Sequence, residues 1–165
     1  KNLAAINPKA MVIDAASTLT IDKPELIKGK RVLVVEDGPT LTHGEMKIGA
    51  GTVAAMKCGA AELVDPRPYV VGEIKGTFET YPEIGTLLPA MGYGDKQMKD
   101  LEKTIANKPC DAVVIGTPID LPRFIKIKQP VVKIGYELQE IGKPNLEDVL
   151  ADCVKKFKIK PGKKK

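Results

Sequence analysis

The chain has 165 residues, enough for one full domain with a buried core. Hydrophobic residues make up 43% and charged residues 28%, which is ordinary for a globular protein. With no Trp and only 4% aromatics, the chain lacks the stacking platforms of a single-strand nucleic-acid binder. The net charge of +5 is carried at one end: residues 155–165, KKFKIKPGKKK, hold seven lysines and no acid, which leaves the body slightly acidic. Such a tail reads as a solvated end, and its sharper reading is a weak, salt-sensitive hold on a polyanion. No apolar run approaches the roughly 20 residues of a membrane span. No signal peptide opens the chain either, so a cytoplasmic protein is expected, without membrane partners. It begins on Lys1 rather than methionine, which suggests a longer or a processed protein. Cys58, Cys110 and Cys153 are odd in number and far apart, without metal-ligand spacing, and read as free thiols in a reducing compartment.

In chain order, residues 1–8 read as the end of a helix closed by Asn7-Pro8. A short strand is expected at Met11 to Ile13, then Asp14-Ala15-Ala16-Ser17. A polar connection follows over Thr18 to Glu25, with a domain boundary between Thr20 and Lys30. The apolar run Val32 to Val35 makes Arg31 to Glu36 a buried strand. A loop over Asp37 to Lys47 and a helix near Ile48 to Cys58 come next. Short strands at Glu62 to Asp65 and Thr86 to Pro89 bracket a short helix within Val70 to Thr80. Asp95 caps an amphipathic helix with Met98, Leu101, Thr104 and Ile105 on one face. Asp111 to Ile115 is another buried strand, Leu121 to Ile127 a helical turn, and Val131 to Tyr136 a final strand. The last helix is Leu146 to Phe157, capped by Asn145.

Continuously apolar strands alternating with helices imply right-handed βαβ units. The expected fold is α/β, a Rossmann-like three-layer sandwich with a mostly parallel sheet of about five strands. The expected organisation is residues 1–22 as a remnant of an upstream domain, 29–154 as the α/β domain and 155–165 as the lysine-rich tail. Ligands of such sheets sit outside the carboxyl ends of the strands, where this chain places its unusual residues. Glu36-Asp37-Gly38-Pro39 ends the central apolar run, with Thr40, Thr42 and the single histidine, His43, just beyond. Strand-end carboxylates can hold Mg²⁺ through water and substrate phosphates, so Glu36 and Asp37 are the candidate metal ligands. His43 titrates near neutrality and suits proton transfer or a phosphate contact. Gly49 and Gly51 would open the next helix to a phosphate at its amides, or simply pack it on the sheet. Arg67, stiffened between Pro66 and Pro68, suits a phosphate, with a structural ion pair as the alternative. Tyr93 and Thr117 lie at further strand ends. No G-x-x-x-x-G-K-[ST] sequence is present.

GKRVLVVEDGPTLTHG, followed by GAGTVAA, AELVDPRPY, LPAMGYG, VVIGTPIDL and YELQEIGKP, resembles the C-terminal part of a family of archaeal and bacterial predicted GTPases. Its members are often labelled cyclic 2,3-diphosphoglycerate synthetase-like. The resemblance covers roughly residues 1–152 and implies a longer protein, with an upstream P-loop domain and the main nucleotide site outside this chain. Ala15-Ala16-Ser17 is similar to the loop that GTPases place beside the nucleotide base. Glu45 stands where the family pattern has a second glycine. The implied chemistry is phosphoryl transfer driven by GTP or ATP with Mg²⁺, acting on a phosphorylated small molecule, in a protein that can be a homo-oligomer. The roles implied are catalytic for His43, Asp37 and Glu36, and phosphate-binding for Thr40, Thr42, Gly49, Gly51, Arg67, Tyr93 and Thr117. A non-catalytic ligand-binding or regulatory domain of a predicted GTPase is the alternative.

Overall fold

The computed structural model describes residues 2–43 and 46–157; Gly44, Glu45 and the lysine tail beyond residue 157 lie outside the described residues. The chain forms two compact units, residues 19–135 and residues 1–18 with 136–165.

The larger unit is built around strand β2 (Arg31–Asp37). Parallel β5 (Ala112–Gly116) takes one edge of it, with Val32 opposite Ala112 and Glu36 opposite Gly116. The other edge is shared in succession. Strand β3 (Glu62–Leu63) pairs with its start, and β4 (Leu88–Ala90) pairs parallel with Val35 to Asp37. Beyond β5 lies β6 (Val131–Glu140), also parallel, and beyond that β1 (Ala15–Ile21). The β1–β6 pairing is antiparallel. In this unit Asp22 N–H donates to the Lys133 carbonyl (3.3 Å), and Lys133 N–H donates back to Asp22 Oδ1 (2.9 Å). The mixed, mostly parallel sheet flanked by helices is the expected Rossmann-like α/β arrangement.

Alternation along β2 divides the core. Val32 and Val34 pack in one cluster with Ala54 and Ala55 of α3 (Ala50–Lys57). Leu33 and Val35 pack in another, with Ile74 of α4 (Glu73–Thr80) and Met98, Leu101 and Ile105 of α5 (Asp95–Asn107). A strand with period two, buried on both faces, must be apolar throughout, and all four of these residues are fully buried.

Two expectations change. The first strand is Ala15–Ile21 and not Met11 to Ile13, because Ser17-Thr18-Leu19-Thr20-Ile21 supplies the β-branched residues and pairing partners. Met11 and Val12 are exposed instead. The stretch after Asp37, expected as a loop, opens with the short helix α2 (Gly38–His43). Asp37 caps it, accepting the Thr40 N–H (3.3 Å) and hydroxyl (2.7 Å) on Oδ2.

The smaller unit holds α1 (Asn2–Ile6), α6 (Leu146–Phe157) and the outer halves of β1 and β6. Its antiparallel register continues through Ile141 N–H to the Asp14 carbonyl at 2.8 Å. Asn145 caps α6 as expected, its side-chain oxygen accepting the Asp148 N–H at 2.8 Å. Leu146, Leu150, Val154 and Phe157 form a stripe on α6 at helical spacing, yet each is 44–66% exposed. Among the described residues, no helix is long and apolar enough to cross a membrane.

Candidate functional site

Glu36 and Asp37 are neighbours on a strand, so their side chains point to opposite faces. Glu36 continues the row of Val32 and Val34 and runs under the N-terminus of α3. Its carboxylate is 2% exposed. Oε1 accepts the Thr52 N–H (2.7 Å) and hydroxyl (2.9 Å), and Oε2 accepts the Gly51 N–H (3.3 Å). Burial pushes its pKa up, and the hydrogen bonds from Thr52, Gly51 and Gly49 pull the other way. The absence of side chains around it is what admits the carboxylate. A Cβ on Gly49 would lie 2.5 Å from Glu36 Oε2, and one on Gly116 2.3 Å from the same atom.

This corrects two expectations. The α3 amides offered to a phosphate through Gly49 and Gly51 are occupied by Glu36. Glu36 and Asp37 do not share a metal, because the strand sends them to opposite faces. Among the described residues, no group of three His, Cys, Asp or Glu side chains converges to hold an ion.

Asp37 faces the other way and joins residues from two neighbouring strand ends. The Tyr93 hydroxyl, three residues past β4, lies 3.2 Å from Asp37 Oδ1 and 3.2 Å from Thr117 Oγ1. Thr117, immediately after β5, is buried and accepts the Ile119 N–H at 3.0 Å. A carboxylate only accepts, so the phenol proton goes to Asp37 and the Thr117 hydroxyl is left to donate to the phenol. Burial raises the Tyr93 pKa, and the Asp37 charge adds to the rise. Tyr93 is therefore a neutral donor at pH 7, with 39% of its surface exposed. It also lines an open groove of about 270 Å³ with Asp95, Met98, Lys99, Phe124 and Ile125. Lys99 and Phe124 were not singled out from sequence. Only the packing of α5 against the 121–125 turn brings them beside Tyr93.

The other expected residues are placed differently. Thr40 is bonded to Asp37, whereas Thr42 donates back to the Gly38 carbonyl within α2 (3.2 Å). His43 is exposed at the end of α2 and makes no side-chain hydrogen bond among the described residues. Arg67 is a structural brace. Its Nη1 binds both oxygens of Asp65 (3.1 and 3.2 Å), and its Nη2 donates to the carbonyls of Ile84 and Gly85. The guanidinium also lies 5.0 Å from the Phe78 ring centre. None of these bonds reaches Asp37, Tyr93 or Thr117. Ala15, Ala16 and Ser17 lie on β1 and not on a loop.

No family model matches the chain, and no solved structure matches it. It is 59% identical over 155 residues to arginine synthetase ArcE of Thermococcus kodakarensis. That alignment covers 94% of this chain and 35% of the relative. Nearly the whole chain is therefore similar to about a third of an enzyme whose name is arginine synthetase.

Proposed function

We propose that this chain is an α/β domain of a nucleotide-dependent synthetase that works by phosphoryl transfer, and that the carboxyl ends of β2, β4 and β5 hold the acceptor. The convergence of Asp37, Tyr93 and Thr117 from three adjacent parallel strands carries this reading. The relative's name, arginine synthetase, supports arginine as the product of the whole enzyme's reaction. The acceptor becomes a phosphorylated small molecule when an oxygen of it takes the γ-phosphoryl group, the nucleoside diphosphate leaving and any acceptor proton passing to Asp37. ATP or GTP and Mg²⁺ are assigned mainly to residues outside this chain, which has no P-loop sequence. The resemblance to predicted GTPases supports an upstream P-loop domain, and we take the exposed apolar stripe of α6 as the face that meets it.

The roles follow from the chemistry of these groups. Asp37 accepts a proton or an N–H from the acceptor. Tyr93, held neutral, turns its one proton from Asp37 to an oxygen that gains charge when the acceptor is bound. Thr117 and Thr40 fix the phenol and the carboxylate in place. Lys99, which lines the groove together with Asp95 and Glu102, attracts an acceptor carboxylate or a phosphate. His43, exposed at the end of the helix that Asp37 caps, is assigned proton movement.

The test is His43→Ala in the full-length protein. Nucleotide-dependent phosphate release is expected to fall by roughly 10²-fold, the usual scale for losing a general acid or base. Nucleotide binding, read by thermal stabilisation, should stay as in the wild type. Unchanged phosphate release would remove His43 from the mechanism, and absence of any nucleotide-dependent turnover in the wild type would overturn the synthetase reading.

A further inference from the structure

A second cavity, of about 100 Å³, lies between α4, the end of β4 and the first turns of α5. Ile74, Pro89 and Leu101 give it an apolar lining, and Glu73, Thr77, Gln97 and Asp100 give it polar atoms. None of these belongs to the Asp37–Tyr93–Thr117 cluster.

Asp100 is the unusual member, a carboxylate only 8% exposed on a helix whose other buried residues are Met98, Leu101, Thr104 and Ile105. Its Oδ2 accepts the Glu73 N–H at 3.3 Å, at the first turn of α4. Gly72, with φ +59°, makes this approach possible, since a Cβ there would lie 1.9 Å from Oδ2. Asp100 Oδ1 accepts no hydrogen bond from any described residue, although the side chain lines the cavity. The positive end of α4 offsets part of its charge. The neighbouring Glu73 is already paired with Lys96 at 2.8 Å. No Lys, Arg or His lines the cavity itself; Lys96, bound to Glu73 outside it, also feels the Asp100 charge. A buried carboxylate in that position is costly unless a cation or further donors meet it.

We propose that this cavity binds a small organic cation, an alkylammonium or alkylguanidinium head on a short apolar stem, with Asp100 Oδ1 as its acceptor. The apolar lining takes the stem and Thr77 offers a second acceptor to the head. A bare divalent ion fits poorly, because Ca²⁺ takes about six to eight oxygen ligands and half of this lining is hydrocarbon. The site goes beyond the phosphoryl-transfer reading and does not depend on it.

The experiment is calorimetric titration of the chain with propylammonium and with propylguanidinium. Propanol serves as the neutral control and potassium chloride as the ionic-strength control. Saturable binding of at least one organic cation is expected, with none for propanol. A preference for guanidinium would indicate a planar, two-point contact, and a preference for ammonium a point-charge contact. Asp100→Asn keeps an oxygen for the Glu73 N–H and the shape of the cavity, and should weaken binding by at least about tenfold. Thr77→Phe fills the cavity from α4 without altering charge and should abolish binding. It decides the matter alone if Asp100→Asn fails to fold. Failure of both cations to bind the wild type would overturn the proposal. So would equal binding to a folded Asp100→Asn, or to Thr77→Phe.

Discussion

Glu36→Ala is expected to lower stability by about 2–4 kcal/mol, because it strands buried donors at the start of α3 and leaves a hole beneath them. For a chain of this length that corresponds to a fall of roughly 5–15 °C in melting temperature. Three hydrogen bonds from Gly51 and Thr52 end on this one carboxylate. Gly116→Ala attacks the same arrangement from β5, since its Cβ would also lie 2.8 Å from the Gly51 nitrogen. A full-sized loss of activity with no loss of stability in Glu36→Ala would return Glu36 to the catalytic group. The pH dependence has a definite sign. Burial raises the pKa of Glu36 in the folded state, so the folded chain binds its proton more tightly than the unfolded chain does. The contribution of Glu36 to stability therefore falls as pH rises from the ordinary glutamate range through the raised value, and the penalty is complete above it. Subtracting the denaturation midpoints of Glu36→Gln from those of the wild type across that range isolates the slope.

Asp37→Asn should reduce turnover of the full-length protein by roughly 10²–10⁴-fold, as expected for a group that accepts a proton from the reacting acceptor. The structural cost is small by comparison. Asparagine is as good a helix cap as aspartate, so α2 should keep its start. Thr40→Val separates the two roles. It removes the 2.7 Å hydroxyl contact to Asp37 but keeps the backbone contact and the carboxylate. A loss of at most about tenfold is expected there. If Thr40→Val and Asp37→Asn are equally impaired, Asp37 acts as a cap and not as a proton acceptor.

Much of the fold was legible because it rests on local pattern. The run Val32 to Val35 could only be a strand buried on both faces, and Met98, Leu101, Thr104 and Ile105 could only be one face of a helix. The strand-end residues Asp37, Tyr93 and Thr117 were legible for a related reason, since parallel strands deliver their carboxyl ends to one side of the sheet. The opposite orientations of Glu36 and Asp37 were also in the sequence, through the period of two, and so was the Asp37–Thr40 cap that starts α2. These signals were overlooked because the acids, Gly and Pro read together as a turn. The first strand was misplaced because Met11 to Ile13 is the more apolar stretch, while Ala15–Ile21 gains its stability from pairing with β6. Arg67 was legible only through the structural ion pair kept as its alternative, which Asp65 supplies, and Asp100 and Lys99 were not legible at all. Their partners lie across loops and helices, as with Arg67 and the Ile84 carbonyl, and local spacing carries no record of such contacts.

The central claim is that the Asp37–Tyr93–Thr117 cluster engages the acceptor, and Tyr93→Phe tests it with the removal of one oxygen atom. The measurement is kcat/KM for the acceptor in the full-length protein, with nucleotide affinity measured alongside. A fall of roughly 10²–10³-fold in kcat/KM with unchanged nucleotide affinity is the predicted result, matching the loss of one donor to a developing negative charge. An unchanged kcat/KM would contradict the account and leave the cluster as a hydrogen-bonded brace between β2, β4 and β5.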